Sequence, residues 1–400
     1  MCGPSPFKGR RAWASVRQQR TAAPEAAATG SQLLGVTLVR KLAMAAVAAV
    51  VLALGPAQAQ DKVVKIYNWS DYIDPQVLSD FTAKTGIKVV YDVYDSNDVL
   101  ETKLLAGNTG YDLVVPSGYF LARQIQAGIF QEIDKAKIPN WQNLDPELMA
   151  QAAKYDPDNA HALIYMWGTT GLAYNVGKVK ERLPDAPLDS WKLLFDPAVA
   201  AKLKDCGIMV LDAADDVLPS ALEFIGENPD SKDPKVLEKG AEVVQKVRPS
   251  IRKFHSSENI NSLANGDICL SLMFSGDAGI AATRAEEAKN GVDIAYVIPQ
   301  EGAQLWFDMM AIPADAPNVE NAYAFINYLL EPEVMAKISN FVTYPNAVPA
   351  SLPLIDEEVK GDPNLFPPAD LRQKLFVVTP YDQKVQRAVT RLWTRVVTGS

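Results

Sequence analysis

The chain has 400 residues, of which 48% are hydrophobic and 22% are charged, a composition typical of a folded globular protein and not of a disordered one. This length is sufficient for two domains of ordinary size. The formal net charge is −9, and removing the seven Lys/Arg and one Glu of residues 1–59 leaves −15. Such a balance argues against nucleic acid or an anionic membrane surface as the partner, and it favours a cationic ligand.

The first 59 residues have the composition of an export leader. Arg40 and Lys41 precede an apolar run over residues 42–54, and a Pro-Ala-Gln-Ala sequence follows. This pattern predicts a secretory signal peptide, since the run is shorter than the roughly 20 residues that span a bilayer. Residues 1–39 lack apolar periodicity, and we expect an unstructured extension there. The remaining chain is therefore expected in the periplasm.

From residue 61 onward, predicted strands and helices alternate. Asp74 and Pro75 are typical of a helix start, and Gly86 and Gly128 are typical of helix ends. This βαβαβα order predicts a mainly parallel sheet covered by helices. The predicted strands of this first set are residues 63–67, 88–94 and 112–115, and its helices are residues 75–85, 98–106 and 120–127.

A second α/β set follows, and two extended aromatic segments lie between the sets. We expect segments 164–174 and 302–312 to be strands that cross between two lobes as a hinge, with residues 344–348 as a third crossing. The predicted fold is α/β with two lobes rather than one large sheet. The expected boundaries are residues 61–166 plus 303–345 for the first lobe and residues 167–302 plus 346–400 for the second.

Polar and aromatic side chains follow nearly every predicted strand. In open parallel sheets, ligands bind outside the carboxyl ends of the strands. A carboxylate beside an aromatic face suits an organic ammonium ion, and none of these short stretches contains Lys or Arg. The residues expected at this edge are Trp69, Ser70, Asp71, Tyr72, Ser117, Tyr119, Asp212, Asp215, Asp216, Phe274, Asp277, Trp306, Asp308 and Tyr344.

Most of these positions have a structural alternative. Asp277 and Asp308 are the hardest to explain structurally, because each follows an apolar run in which an unpaired carboxylate is costly. The alternatives for the others are turn positions for Ser70, Asp71 and Tyr344, first-turn helix acids for Asp215 and Asp216, and hinge packing for Phe274 and Trp306.

Catalytic motifs are scarce in the sequence. His161 and His255 are the only histidines, and there is no Gly-x-Ser-x-Gly, Gly-x-Gly-x-x-Gly or phosphate-binding loop with Lys-Ser/Thr. Paired acids such as Asp71 and Asp277 are compatible with glycoside hydrolysis, which keeps a hydrolase open as an alternative. We predict no catalytic residue, no metal site and no cofactor.

Two cysteines, Cys206 and Cys269, remain after the leader is removed. In an exported protein an even pair predicts a disulfide. Two buried free thiols are the alternative. Neither residue belongs to a Cys-x-x-Cys motif, which argues against a redox or zinc role.

Six stretches, taken together, resemble the periplasmic polyamine-binding proteins of ABC transporters, the putrescine- and spermidine-binding group. The similarity covers essentially all of residues 61–400. The stretches are Tyr-Asn-Trp-Ser-Asp-Tyr at 67–72, Tyr-Asp-Ser-Asn at 94–97, Gly-Tyr-Asp-Leu-Val-Val-Pro-Ser at 110–117, Tyr-Met-Trp-Gly-Thr at 165–169, Phe-His-Ser-Ser at 254–257 and Leu-Ala-Asn-Gly-Asp-Ile-Cys at 263–269.

The resemblance implies a two-lobed type II periplasmic binding protein fold that closes over an extended amine. It further implies a protein, expected to be monomeric, that delivers its ligand to an inner-membrane ABC permease, and a disulfide between the two cysteines. The implied contacts are Trp69, Phe274 and Trp306 along the hydrocarbon chain, Asp277 and Asp308 at one ammonium, Ser70, Asp71 and Asp216 at the other, and additional contacts from Tyr72, Ser117, Tyr119 and Tyr344.

Four positions depart from the pattern of putrescine binders. Asp216 stands where Glu is common, Phe274 where Trp is common, Trp306 where Phe is found, and Tyr119 where a small residue is found. The choice between putrescine and spermidine therefore stays open, with putrescine favoured because the two acids at one end are intact. A ligand-loaded partner of a chemoreceptor is a further functional alternative.

Overall fold

The computed structural model describes residues 62–399, so the predicted extension and signal peptide lie outside the described residues. In this range the strands form one sheet. They are β1 (Val63–Trp69), β2 (Lys88–Tyr94), β3 (Leu113–Val114), β4 (Ala162–Asn175), β5 (Ile208–Val210), β6 (Ile251–Phe254), β7 (Leu270–Phe274), β8 (Ile294–Val297), β9 (Ala303–Ala311) and β10 (Leu375–Phe376).

Helices cover this sheet. Short 3-10 helices at residues 135–137, 139–143, 157–159, 248–250 and 349–354 complete the secondary structure. The α-helices are α1 (Pro75–Thr85), α2 (Asn97–Ala106), α3 (Gly118–Gln126), α4 (Pro146–Ala152), α5 (Val176–Arg182), α6 (Lys192–Phe195), α7 (Pro197–Leu203), α8 (Ala214–Phe224), α9 (Pro234–Val247), α10 (Glu258–Ala264), α11 (Ser275–Ala288), α12 (Val319–Leu329), α13 (Pro332–Val342), α14 (Glu357–Lys360), α15 (Ala369–Arg372) and α16 (Gln383–Thr398).

The sheet has the order β2-β1-β3-β9-β4-β7-β5-β6, with β10 beside β9 and β8 beside β4. The three strands at each end of this order are parallel, whereas β4 and β9 pair antiparallel from Ala162 with Ala311 to Thr170 with Gln304. We expected two lobes rather than one large sheet, and the single sheet differs from that expectation. The two hinge segments bond to each other and so connect both halves into a ten-stranded sheet.

Two hydrophobic cores nevertheless lie on this sheet. The first contains the buried residues of β1 to β3, of β4 up to Trp167 and of β9 from Leu305, together with those of α12 and α13. The second begins at Leu172 of β4 and contains the residues of β5 to β7 and of α8 to α10. Two cores joined by long crossing strands give the predicted two-lobed architecture. The predicted residue boundaries of the lobes stay a prediction.

Local signals explain the first helix well. The Asp74 side chain accepts a hydrogen bond from the backbone N–H of Gln76 at 2.8 Å, and Pro75 is the first helical residue. Gly86 ends the helix with φ 73°, a left-handed conformation that favours glycine. Both predicted signals are confirmed.

The third predicted crossing, residues 344–348, is not a strand. It forms only an isolated bridge between Met166 and Asn346. Beside this bridge, Trp167 donates its backbone N–H to the Pro345 carbonyl at 3.0 Å and its indole N–H to the Asn346 carbonyl at 3.1 Å. The sequence prediction also omitted helices α4 to α7 and strand β6, which are short and weakly periodic.

The predicted disulfide is present between Cys206 and Cys269. Their Cα atoms are 5.5 Å apart. The bond joins the approaches to β5 and β7, whose parallel pairing begins with Ile208 beside Leu270. It therefore ties together two neighbouring strands whose loops contribute to the site described next.

Candidate ligand-binding slot

Two adjoining cavities lie at the carboxyl ends of the strands. The first has a cavity volume of about 40 Å³ and the second of about 20 Å³. Trp69, Asp95, Ser256 and Phe274 line both, so the cavities form one elongated slot. The remaining lining residues of the first cavity are Ser70, Tyr72, Tyr94, Ser257, Ile260, Asp277, Trp306, Asp308 and Tyr344, and those of the second include Asp98, Tyr119, Asp212, Asp215 and Asp216.

Asp308 is buried in strand β9 at the first cavity. Its carboxylate accepts hydrogen bonds from the Ser117 hydroxyl at 2.6 Å and from the Tyr72 hydroxyl at 2.8 Å. Asn97 donates its side-chain amide to Ser117 at 3.0 Å, which orients the serine. Burial raises the pKa of Asp308 to about 7, although the two hydroxyl hydrogen bonds oppose this shift.

Asp277 lies in the first turn of α11 and faces the same cavity. Its carboxylate accepts a hydrogen bond from the Tyr344 hydroxyl at 2.8 Å, and its backbone N–H donates to the same hydroxyl oxygen at 3.1 Å. Burial raises the pKa of Asp277 to about 7, against the effect of the tyrosine. The first cavity thus holds two carboxylates with fixed orientations and a weakened tendency to ionise.

Aromatic rings form a continuous wall beside these acids. The ring centroids of Trp69 and Phe274 are 6.4 Å apart, those of Phe274 and Trp306 are 5.4 Å apart, and those of Trp306 and Tyr344 are 5.5 Å apart, all in edge-on arrangements. Trp69 is held by its indole N–H, which donates to the Val115 carbonyl at 2.9 Å. Such a wall suits methylene groups next to a cation.

The second cavity carries another pair of acids. Asp216 accepts hydrogen bonds from Thr170 at 2.9 Å and from Tyr119 at 3.2 Å. Asp215 is buried, and its Oδ1 atom has no hydrogen-bond partner among the described residues. Burial raises the pKa of Asp216 to about 7 and that of Asp215 to about 6, the latter opposed by the positive charge of Arg123.

The structure brings most of the predicted site residues together, although not in the predicted groups. Ser70 lies in the cavity of Asp277 and Asp308, whereas it was predicted to lie with Asp216. Asp71 lines neither cavity, and it forms a 2.7 Å ion pair with Arg284 at the surface. Ser117 lies behind Asp308, where it orients the carboxylate. Eight predicted residues line the first cavity: Trp69, Ser70, Tyr72, Phe274, Asp277, Trp306, Asp308 and Tyr344.

Several lining residues were not assigned from the sequence. Tyr94 is the last residue of β2 and Asp95 follows it, and Ser256 and Ser257 come shortly after β6. Both pairs belong to stretches that carried the family resemblance, and both lie at the carboxyl end of a strand. The second pair was missed because β6 was not predicted. Thr170, which orients Asp216, gave no signal because it lies in the middle of a long apolar strand.

The two histidines lie outside the lining of the slot, although His255 directly precedes the lining residue Ser256. His161 lies 2.9 Å from Asp156, and neither histidine lines either cavity. Among residues 62–399, no group of three or more His, Cys, Asp or Glu side chains is arranged to hold a metal ion. In the same range, no helix has the length and apolar character needed to cross a membrane.

The fold and this site define a class of protein. A family model of bacterial extracellular solute-binding proteins matches residues 76–367, and the chain belongs to this family. Membership in a solute-binding family confirms the predicted class, a binding protein rather than an enzyme. The hydrolase alternative has no support among the relatives.

Individual proteins are similar to this chain over most of its length. The chain is 52% identical to the putrescine-binding periplasmic protein PotF of Escherichia coli over 350 residues, 87% of this chain and 95% of that protein. It is 50% identical to the putrescine-binding periplasmic protein SpuD of Pseudomonas aeruginosa over 372 residues, 92% and 98% of the two chains. A solved structure, the spermidine/putrescine ABC transporter substrate-binding protein PotD of Streptococcus pneumoniae, matches with a TM-score of 0.68 and 33% identity, covering 84% of this chain and 98% of that one.

Proposed function

We propose that this chain is a periplasmic polyamine-binding protein that captures a linear diamine or triamine and delivers it to an ABC permease in the inner membrane. The names of its relatives support this proposal, since both PotF and SpuD are putrescine-binding periplasmic proteins. The predicted signal peptide supports the periplasmic location. Putrescine is favoured as the ligand, and spermidine is the second candidate.

The observation that carries the proposal is the state of the two acids in the first cavity. An ammonium group has three donors and no acceptor, and a carboxylate offers about four acceptor positions. Asp308 uses two of these for Ser117 and Tyr72, and Asp277 uses one for Tyr344. The remaining acceptor positions, beside an aromatic wall, match one ammonium end of an aliphatic amine.

The second cavity, at the other end of the slot, contains the acids that would bind the second ammonium group. Asp216 and Asp215, whose Oδ1 atom has no hydrogen-bond partner among the described residues, lie in the second cavity. This cavity shares Trp69 and Phe274 with the first. A dication with an apolar middle therefore finds acids at both ends and rings between them. This order of groups distinguishes a polyamine from an amino acid, whose carboxylate would lie against one of these acids.

Ligand capture is proposed to close the two lobes, which we place at residues 61–166 plus 303–345 and at residues 167–302 plus 346–400. Trp69 and Tyr72 come from the side of the first core, whereas Asp277 follows β7 on the side of the second. A ligand that contacts both sides stabilises the closed state by its differential affinity for that state. The monomer is expected to be the functional unit.

The test is calorimetry on the processed protein with putrescine, cadaverine, spermidine, spermine, agmatine and single amino acids. We expect binding of putrescine or spermidine and no heat from amino acids. Absence of binding to every aliphatic amine contradicts the proposal. Size-exclusion chromatography with light scattering in the same buffers tests the monomeric state.

A further inference from the structure

Two of the wall rings lie directly against glycines. Gly168 of β4 pairs with Trp306 of β9 in the antiparallel register, so any side chain at 168 would lie on the same face as the indole. A Cβ atom there would lie 2.7 Å from the Cζ2 and Cη2 atoms of Trp306 and 2.9 Å from the Ser275 hydroxyl. These distances are shorter than the 3.4 Å at which ordinary van der Waals contact begins.

The second ring has the same support. A Cβ atom at Gly276 would overlap the ring of Tyr344, the residue whose hydroxyl orients Asp277. Neither Gly168 nor Gly276 has a positive φ, so the backbone alone does not require glycine at these positions. What both positions provide is space for an aromatic ring.

We infer that Gly168 is a positioning residue that sets the width of the slot through Trp306, and that Gly276 has the same role for Tyr344. Because residue 168 has no side chain, the indole of Trp306 packs directly against strand β4. In this position the indole does not narrow the first cavity. An added methyl group would push the ring into the cavity, toward Phe274. This inference rests on the proposed function, because it concerns the width available to an unbranched aliphatic amine.

Width and length have different experimental signatures. Putrescine and spermidine share the same chain cross-section and differ in length. A position that sets the width should therefore weaken both ligands by the same factor, whereas a position at one end of the slot should affect them differently. The contact between Gly168 and Trp306 also predicts which substitution restores the space. Replacing Trp306 with phenylalanine would remove the outer atoms of the indole that lie against Gly168.

The experiment measures the affinities of putrescine and spermidine for protein isolated from the periplasmic fraction. The variants are Gly168→Ala, Trp306→Phe and their combination. We expect Gly168→Ala to weaken the binding of both ligands about tenfold. The affinities of the double variant should lie within about threefold of those of Trp306→Phe alone, as expected for residues in direct contact. Should Gly168→Ala not fold, the double variant must still fold and meet the same criterion.

Gly171→Ala is the matched control. It lies on the same strand, and its Cβ would be equally crowded, 2.5 Å from the Val297 carbonyl and 2.6 Å from the Tyr296 hydroxyl, which do not line the slot. We expect it to lower the melting temperature without changing the affinity of the folded protein. Wild-type affinity in Gly168→Ala, or a double variant as weak as Gly168→Ala, overturns the inference. A wild-type protein that binds no amine contradicts the proposed function instead.

Discussion

The two ends of the slot differ in how completely their acids are held. At the first cavity, Asp308 and Asp277 both accept hydrogen bonds from tyrosine hydroxyls, and Asp308 accepts a further one from Ser117. At the second cavity, Asp216 is held by Thr170 and Tyr119, but the Oδ1 atom of Asp215 has no partner among residues 62–399. The acids of the first cavity are therefore more completely held in place, and the second cavity keeps spare acceptor capacity.

The supporting elements differ as well. Asp308 is 4% exposed in a strand that both lobes share, whereas Asp215 and Asp216 lie in the first turn of helix α8. Asp277, the other acid of the first cavity, also lies in the first turn of a helix, α11, so only Asp308 is supported by a strand. On the proposed function, we expect the first cavity to bind the ammonium end that putrescine and spermidine share, and the second cavity to distinguish ligands of different length.

Asp308→Asn is expected to have the largest effect. The change removes one charge, and it places an amide N–H₂ against hydroxyl donors from Tyr72 or Ser117. Hydrogen bonds to charged groups contribute about 1.5–3 kcal/mol each, so we expect putrescine affinity to fall about a hundredfold or more. Calorimetry measures the loss, and circular dichroism checks that the fold is retained.

Asp185→Asn is the control for that experiment, because Asp185 is exposed and lines neither cavity. It removes the same charge from the protein without touching the slot, and we expect wild-type affinity. A comparable loss in both variants would mean that the net charge of the protein, and not the first cavity, determines binding.

The pH dependence should also be large. The pKa values of Asp277, Asp308 and Asp216 are raised to about 7 by burial, so these acids are partly protonated in the free protein at neutral pH. An ammonium favours their ionised forms, and binding should therefore release protons and weaken below pH 7. We expect an affinity loss of about tenfold between pH 8 and pH 6 for each acid that couples to the ligand.

Stability gives an independent measurement of the same shifts. A carboxyl group whose pKa is raised on folding stabilises the folded state fully below its unfolded pKa, and this contribution is lost as the pH rises through about 7. Ligand binding should offset the loss. The increase in melting temperature caused by putrescine should therefore grow from pH 5.5 to pH 8, and an increase that is constant with pH would show that the acids are already ionised in the free protein.

Asp216→Asn should have a smaller effect than Asp308→Asn. Asp215 remains beside it with an unpartnered oxygen and can accept part of the displaced interaction. We expect about a fivefold loss for putrescine and a still greater loss for the double variant Asp215→Asn/Asp216→Asn. If Asp216→Asn weakens binding more than Asp308→Asn does, the assignment of the first cavity as the preorganised end is wrong.

Much of this architecture was accessible from the sequence, because its signals are local. The strand Lys88–Tyr94 is predicted with its observed bounds, and helix α1 is defined by Asp74, Pro75 and Gly86. The rule that loops at the carboxyl ends of strands gather at one edge brought Trp69 and Asp277 into one candidate site. Each of these inferences needs only periodicity, a cap or a turn residue.

The rest depends on contacts between distant parts of the chain. The pairing of β4 with β9, which connects both halves of the sheet, has no local signature, and neither does the support that Gly168 gives to Trp306. The resemblance placed Asp71 with Asp216 at one ammonium, but Arg284 of helix α11 forms an ion pair with Asp71. Contacts of this kind, between residues far apart in the sequence, cannot be predicted from composition alone.

Arg284→Gln should have the smallest effect and should sharpen the description of the first cavity. Arg284 forms a 2.7 Å ion pair with Asp71 outside the lining of either cavity, and its positive charge opposes the upward shift of the Asp277 pKa. Both partners are about a third or more exposed, so the pair contributes roughly 0.2–1 kcal/mol and salt weakens it. We expect about threefold faster release of putrescine in stopped-flow measurements at low salt, and an upward shift of the pH midpoint for binding, because the pKa of Asp277 rises further. Asp71→Asn should reproduce the faster release without adding to that of Arg284→Gln, and additive effects would show that the two residues act separately.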